Sequence, residues 1–148
     1  MDIRILKIDE SETEYIEIGC HKKDDRVEDI VHFVKSRQGS IGAVLEDQQY
    51  QLPITDIFYI EALDDKTFIY LNDNCFESRK RLYEFESALS NREFARISKS
   101  VIVNLMKISS IKPALNGRFM CILANGEKVI ISRKYVSDIK KKLKGDAQ

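Results

Sequence analysis

Two Asn-Gly dipeptides divide the last third of this 148-residue chain into short apolar runs. The dipeptides are Asn116-Gly117 and Asn125-Gly126, and the runs are residues 109–115, 118–124 and 128–131. Asn-Gly favours tight hairpin turns because both residues readily adopt the positive φ values that such turns require. The spacing therefore predicts a meander of three antiparallel strands.

A helix is predicted to follow the meander. Apolar residues recur there at helical spacing, namely Tyr135, Val136, Ile139 and Leu143. Ser132 can cap the start of this helix, and Gly145 is a natural stop. The helix also carries most of a lysine run, so its outer face is expected to be basic.

The middle of the chain predicts further strands and one short helix. Residues 54–62 and 67–71 are rich in β-branched and aromatic side chains and flank the charged turn Asp64-Asp65-Lys66. Residues 82–89 have the spacing of a short helix that ends near Ser90-Asn91. Ten apolar residues are predicted to lie in the core rather than to form a base-stacking surface: Phe58, Tyr59, Phe68, Tyr70, Phe94, Val101, Val103, Leu105, Phe119 and Ile122.

The first 52 residues have a different pattern. The predicted elements are strands at residues 3–8 and 15–18, a helix over 27–34, and strands at 41–45 and 50–52. Asp24 or Asp25 can cap the helix and Gly39 can end it. Pro53 marks a boundary, because proline does not fit inside a central strand. We therefore predict an α+β fold with a small β-β-α-β unit at 1–52, followed by a mostly β domain at 53–148 that ends in a helix.

The formal net charge of zero conceals an uneven distribution. Residues 1–52 hold 12 acidic and 7 basic residues, residues 53–96 hold 9 and 6, and residues 97–148 hold 3 and 11. A basic C-terminal third can bind a polyanion while the acidic remainder discourages non-specific adhesion. A solvated basic helix is the simpler alternative, since five of the eleven cations are lysines in or beside the last helix.

Several classes of protein are not expected from this composition. No apolar run is long enough for a membrane span or a signal sequence, and three widely spaced cysteines suit neither a disulfide framework nor a CxxC metal site. A cytoplasmic protein with structural thiols is the simplest expectation. His21 and His32 have no nearby cysteine and carboxylate set, so no metal site is predicted.

No enzyme and no cofactor is predicted either. The six glycines form no phosphate-binding loop, so a nucleotide has no evident site. The pairs Asp24-Asp25 and Asp64-Asp65 are typical of helix caps and solvated turns rather than of acid/base catalysis. No nucleophile with a partnered base stands out.

Basic and hydrogen-bonding residues recur instead at turns between the predicted strands. The cations are Arg96, Lys99, Lys107, Lys112, Arg118, Arg133 and Lys134, and the polar residues among them are Ser98, Ser100, Asn104, Asn116 and Ser132. Phosphates are contacted by cations and small donors, and guanine edges by Arg or Lys. A helix-turn-helix is not predicted, because no helix pair precedes the basic stretch. Binding of nucleic acid would therefore use loops or strands.

Three motifs in order resemble the LytTR family of DNA-binding domains. They are DIFYIEA at residues 56–62, FARISKSVIVNLMKISSI at 94–111, and NGEKVIISRKYVSDIKKKL at 125–143. Together they span about 60% of the chain. The resemblance implies an elongated, mostly β domain and a sequence-specific transcriptional regulator of bacterial type. In this family, loops enter successive major grooves of paired direct repeats in double-stranded DNA and bend the duplex.

The resemblance also implies which turns contact DNA. Carried over by position, the contact residues are Lys66, which follows Asp65, then Ser98, Lys99 and Ser100, and finally Arg133 and Lys134. Lys99 and Arg133 are the main candidates. Many members have histidine at the position of Ser98; a hydroxyl can still contact phosphate but lacks the reach of the ring, so the resemblance does not define the specificity of that loop. Asn104 is predicted to satisfy backbone groups at a turn rather than to touch DNA.

The length of the N-terminal part implies a particular kind of LytTR protein. About 50 residues precede the domain, too few for a phosphoryl receiver, so the chain resembles short stand-alone LytTR regulators. These are often encoded beside a small membrane protein that restrains them. A homodimer formed through the N-terminal unit is expected, with the membrane partner as another use of that unit. The alternative is a protein-interaction module whose basic third holds an acidic partner or a membrane surface.

Overall fold

Antiparallel strand pairing dominates the computed structural model, which describes residues 1–90 and 92–146. The helices are α1 (Asp25–Arg37), α2 (Leu82–Ala88) and α3 (Arg133–Asp146). The strands are β1 (Ser40–Leu45), β2 (Gln48–Pro53), β3 (Tyr59–Leu63), β4 (Lys66–Tyr70), β5 (Cys75–Ser78), β6 (Phe94–Arg96), β7 (Val101–Asn104), β8 (Ile108–Pro113), β9 (Phe119–Leu123) and β10 (Lys128–Ile131). Single 3₁₀ turns lie at Ile54–Asp56, Leu105–Lys107 and Leu115–Gly117.

The strands form two sheets. One sheet has seven strands in the order β2-β1-β5-β4-β3-β7-β6, and the other has three in the order β10-β9-β8. The second sheet confirms the predicted meander, with an Asn-Gly dipeptide in each connection. Asn116 and Gly117 adopt φ values of 62° and 75°, and Gly126 adopts 88°. These are left-handed conformations that glycine and asparagine reach at little cost.

The apolar side chains form two clusters on opposite faces of the seven-stranded sheet. Ile102 of β7 belongs to the first cluster, with side chains of β1 to β5 and of α2. Its neighbour Val103 belongs to the second cluster, with the three-stranded sheet and α3. Successive side chains of a strand point to opposite faces, so β7 contributes to both. The overall fold is the predicted α+β class.

Helix α1 and the hairpin β1-β2 agree with prediction. The Asp24 carboxylate accepts a hydrogen bond of 3.1 Å from the Val27 backbone N–H, so Asp24 is the N-cap. Gly39 follows the helix with a φ of 101°. The hairpin joins the large sheet where Val44 of β1 pairs with Glu77 of β5. The sheet therefore continues across Pro53, at which the sequence predicted a boundary.

The two strands predicted before α1 are wrong. Residues 1–24 contain no strand, and the first unit is α-β-β rather than β-β-α-β. Ile3 and Ile5 are 92% and 95% exposed. Alternating aliphatic residues show that a segment is able to form a strand, but a strand also needs a neighbour for its backbone groups and apolar face. The described residues of this single chain provide no such neighbour.

Smaller differences occur in the middle of the chain. Residues 54–56 form a 3₁₀ turn, so the strand predicted over 54–62 begins only at Tyr59. Strand β5 was not predicted, and the mixed stretch 94–104 contains β6 and β7. Helix α2 ends at Ala88, and Asn91 lies outside the described residues. Of the ten predicted core residues, Phe58, Val103 and Leu105 are buried and the others are half-buried.

In the part of the chain that the structure describes, no helix is long and apolar enough to cross a membrane.

Candidate nucleic-acid interface

The three predicted contact turns meet at one end of the seven-stranded sheet. They are the β3–β4 turn, the β6–β7 loop and the start of α3. The Ala62 N–H at the end of β3 donates to the Ser100 carbonyl over 2.8 Å, and the Ser132 N–H before α3 donates to the Ile97 carbonyl over 2.8 Å. The β6–β7 loop is thus bonded to both neighbours. We call this end of the molecule the turn end.

The β6–β7 loop is a small, internally bonded turn. The Ile97 N–H donates to the Val101 carbonyl over 3.0 Å, which closes it. The Ser98 hydroxyl oxygen accepts from the Ser100 N–H at 3.2 Å and lies 3.4 Å from the Ser100 hydroxyl. Both serines are half-buried, whereas Lys99 between them is exposed. The loop therefore presents one cation with two hydroxyl groups at its base.

Arg96 connects this loop to helix α2. Its guanidinium donates to the Lys99 carbonyl at 2.6 Å and forms an ion pair of 3.1 Å with Glu86 of α2. The Arg96 side chain is only 19% exposed. The Arg96 guanidinium is thus already bound by a backbone carbonyl and a carboxylate of the protein. It positions the loop and is not presented for contact.

The β3–β4 turn presents Lys66. Asp64 adopts a φ of 56° in this turn, and Lys66 begins β4. The Lys66 ammonium lies 3.8 Å from the Glu77 carboxylate, and both side chains are more than half exposed. Such a surface pair contributes little stability, because water and salt screen it. A phosphate group can therefore compete for Lys66.

The start of α3 presents Arg133 and Lys134, both exposed. The first backbone N–H groups of a helix lack partners within the helix, and the helix dipole makes this end favourable for anions. A Cβ on Gly117 would lie 2.8 Å from the Arg133 Cδ, so the absence of a side chain there lets Arg133 lie against the β8–β9 turn. Arg133 lines a shallow open cleft with Asn116 and Arg118.

The structure adds cations that the predicted site did not contain. Arg118, noted in the sequence only as one basic turn residue among several, is exposed beside Arg133. The run Arg79-Lys80-Arg81 follows β5, whose Ser78 pairs with Thr67 next to Lys66. Three consecutive cations are a visible signal in the sequence. Without β5, however, nothing indicated where in the fold they lie.

The lysines of α3 have other surroundings. The Lys140 ammonium lies 4.4 Å from the centre of the Phe119 ring, and Lys142 forms a 3.5 Å ion pair with Asp138 one helical turn earlier. Contacts over an aromatic face and between i and i+4 are common ways to accommodate lysine on a helix. Two of the lysines in the C-terminal part of α3 thus already have partners within the protein.

Asn104 is a structural residue, as predicted. Its amide donates to the Ile57 carbonyl at 2.8 Å and accepts from the Met106 N–H at 3.0 Å. The side chain is buried, so it satisfies backbone groups where β7 ends.

The side chains whose pKa values are shifted lie in the strands, away from the contact turns. Burial raises the pKa of the Cys121 thiol to about 12 and that of Cys75 above its usual value. Burial also raises the pKa values of Tyr59 and Tyr70, whose rings stack at 4.3 Å. Nearby Glu127 adds to the pKa shift of Tyr59, and Cys75 and Glu61 add to that of Tyr70. Within residues 1–90 and 92–146, no group of three or more His, Cys, Asp or Glu residues is placed to hold a metal ion.

Comparison with known proteins places this geometry in a family. The sequence model of the LytTr DNA-binding domain family matches residues 47–144 of this chain. A solved LytTr DNA-binding domain, from a Bacillus cereus protein described as a methyl-accepting/DNA response regulator, superimposes with a TM-score of 0.67 at 30% identity. That match covers 71% of this chain and 96% of the solved one.

Two curated relatives differ in how much of their length is matched. The sensory transduction protein LytT of Enterococcus faecalis is 32% identical over 98 residues, which are 66% of this chain and 40% of that protein. An uncharacterised HTH-type transcriptional regulator of Staphylococcus aureus is 28% identical over 141 residues, 93% of this chain and 95% of that protein. Despite that relative's name, no helix directly follows another through a turn in the described residues of this chain.

Proposed function

Because this chain belongs to the LytTr DNA-binding domain family, we propose that it is a transcriptional regulator that binds specific sequences of double-stranded DNA. The observation that carries the proposal is the bonding of three basic turns into one surface through the Ala62–Ser100 and Ser132–Ile97 hydrogen bonds. A surface fixed by backbone bonds can hold several cations in a constant relative position, which is what recognition of a regular duplex requires.

The spacing of the turns suits the major groove. Lys66 begins β4 and Lys99 precedes β7, and β3 lies between these strands. Two strand spacings amount to about 10 Å, close to the groove width of about 12 Å. In this proposal, Lys99 and Arg133 reach base edges, while Lys66, Lys134 and the hydroxyl groups of Ser98 and Ser100 contact phosphates. Loops then read successive grooves of direct repeats.

Selection of bound duplexes from a random pool tests this function. Enrichment of a pair of spaced direct repeats is the expected result, followed by weaker binding of that sequence by Lys99→Ala and Arg133→Ala. A pool that shows no enrichment would favour the alternative, in which the basic third holds an acidic protein or a membrane surface. Enrichment with unchanged affinity in both variants would keep the function and reject the assigned residues.

The N-terminal segment is proposed to mediate association. Residues 1–24 expose several apolar side chains, namely Ile3, Ile5, Leu6, Tyr15 and Ile16. Apolar residues in such a run are covered when another chain supplies a strand or groove. A second copy of this chain is the proposed partner, since paired direct repeats call for two binding units. A small membrane protein is the other proposed occupant of the same segment.

A further inference from the structure

The run Arg79-Lys80-Arg81 lies at the turn end. Strand β5 runs antiparallel to β4, with Ser78 opposite Thr67 and Glu77 opposite Phe68. The chain therefore leaves β5 beside the residue that begins β4, Lys66. This register places Arg79, the first residue of the run, next to the β3–β4 turn, on the side of β4 away from the β6–β7 loop.

The backbone of the run is fixed from both sides. The Lys80 N–H donates to the Ser78 hydroxyl oxygen at 3.1 Å. The Arg81 N–H donates to the Glu84 carboxylate at 2.7 Å, and this bond caps the start of α2. Helix α2 is in turn held by Leu82 and Phe85, which are buried in the first core cluster. The run is thus attached to the core and does not belong to a free loop.

The side chains of the run are presented to solvent. All three are exposed, and within the described residues none forms an ion pair. The nearest acidic residues along the chain have other partners, because Glu77 lies by Lys66 and Glu84 accepts from a backbone N–H. Three adjacent cations on a fixed backbone form a surface suited to a closely spaced row of anions.

We propose that Arg79 and Lys80 bind the DNA phosphates that border the groove entered by the predicted contact turns, an inference that rests on the proposed function. Three strand spacings separate β5 from β7, about 14 Å, whereas the major groove is about 12 Å wide. With Lys66 and Lys99 at the groove, the run therefore lies over its phosphate edge. A contact there increases affinity and sets position but reads no base.

A double variant with a matched control tests this contact in the full chain. Arg79→Ala/Lys80→Ala removes two cations from the run. Arg26→Ala/Lys128→Ala removes two exposed cations elsewhere, an arginine in the first turn of α1 and a lysine at the start of β10. A third variant, Arg79→Lys/Lys80→Arg, keeps the charge. Affinity is measured from low to high salt, on the selected duplex and on an unrelated duplex, and circular dichroism checks folding.

For Arg79→Ala/Lys80→Ala, we expect the affinity for both duplexes to fall roughly tenfold. The slope of log affinity against log salt should become shallower by up to about 1.8, since each phosphate contact contributes about 0.9. The control and the charge-keeping variant should stay within about twofold of the wild type.

Different failures are distinguishable. An unchanged slope in the double variant, with Lys99→Ala still weakening binding, would overturn this contact and leave the proposed function intact. A loss confined to the selected duplex would show base reading and overturn the phosphate assignment. A wild-type chain that binds no duplex would overturn the proposed function and this inference together.

Discussion

Lys99 and Arg133 of the turn end and the lysines of the C-terminal part of α3 belong to the same basic third of the chain, but their surroundings differ. Lys99 and Arg133 project from turns that backbone hydrogen bonds hold in place. Lys140 lies over the Phe119 ring, and Lys142 pairs with Asp138. Charge density alone would favour the helix as the DNA interface. Fixed position, together with the exposure of Lys99 and Arg133, favours the turns as the DNA interface.

The largest predicted effect is a difference in DNA affinity between variants of these two regions. Lys99→Ala and Arg133→Ala are each expected to reduce affinity for the selected duplex by about 5- to 150-fold, because a good base contact contributes about 1–3 kcal/mol. Lys141→Ala/Lys144→Ala removes two exposed lysines of α3 and should change affinity less than threefold. Titration of labelled duplex at one salt concentration measures all of these. A greater loss from the helix variant would reverse the comparison.

A glycine substitution sharpens the comparison, because it moves Arg133 without removing it. Gly117→Ala places a Cβ 2.8 Å from the Arg133 side chain, at a φ of 75°. The backbone strain should cost about 1 kcal/mol of stability, and displacement of Arg133 should reduce affinity severalfold. Gly126→Ala is the matched control, since its φ is 88° but nothing lies within 4 Å of the added Cβ. The control should lose stability and keep affinity.

A double-mutant cycle then identifies the cause. In an Arg133→Ala background, Gly117→Ala should weaken binding no further, because the side chain that it displaces is gone. Additive losses would mean that the β8–β9 turn contacts DNA independently of Arg133.

Removal of residues 1–21, which keeps the Asp24 cap of α1, should leave the turn end unchanged and alter association. Every described strand and helix begins at or after Asp25, so the shortened chain is expected to fold. Sedimentation should show a dimer for the full chain and a monomer after truncation. Affinity for a single half-site should be unchanged, and the advantage of a paired site should disappear. An unchanged association state would exclude the N-terminal segment as the dimer interface.

The smallest expected effect concerns stability at high pH rather than DNA binding, and it arises from the buried thiol of Cys121. The buried Cys121 thiol has a pKa of about 12, above its ordinary value of 9.0. The unfolded chain therefore loses this proton at a lower pH than the folded chain, and stability falls as pH rises from about 9 towards 12. Urea unfolding at pH 8 and pH 10 should show a smaller fall for Cys121→Ala than for the wild type. Equal falls would show that this thiol does not contribute.

The sequence predicted best those elements whose signals are local. The Asn-Gly turns need left-handed backbone, and Asp24 caps a helix whether or not the rest of the chain is present. Residues 3–8 have an equally clear strand pattern, yet no strand forms there, because pairing depends on a partner that a local pattern does not supply. Strand β5 was missed for the opposite reason. It is four residues long with one large buried side chain, Phe76, so its pairing with β4 is what makes it a strand.

The candidate site was predicted as separate turns, and its assembly was not predictable from spacing. The Ala62–Ser100 bond joins residues that are 38 positions apart, and only the β3–β7 register brings them together. The same limitation hid the inward role of Arg96, which looks like any other basic turn residue until Glu86 of α2 is placed beside it. It also left Arg79-Lys80-Arg81 without a location.

Backbone amide NMR of the full chain, titrated with the selected duplex, tests the central claim most directly. If the turn end is the DNA interface, the largest shift changes fall at residues 64–66, 97–100 and 132–134, and those at 140–144 remain small. Changes concentrated at 140–144, with the three turns unaffected, would contradict the account and place the interface on the lysine-rich part of α3.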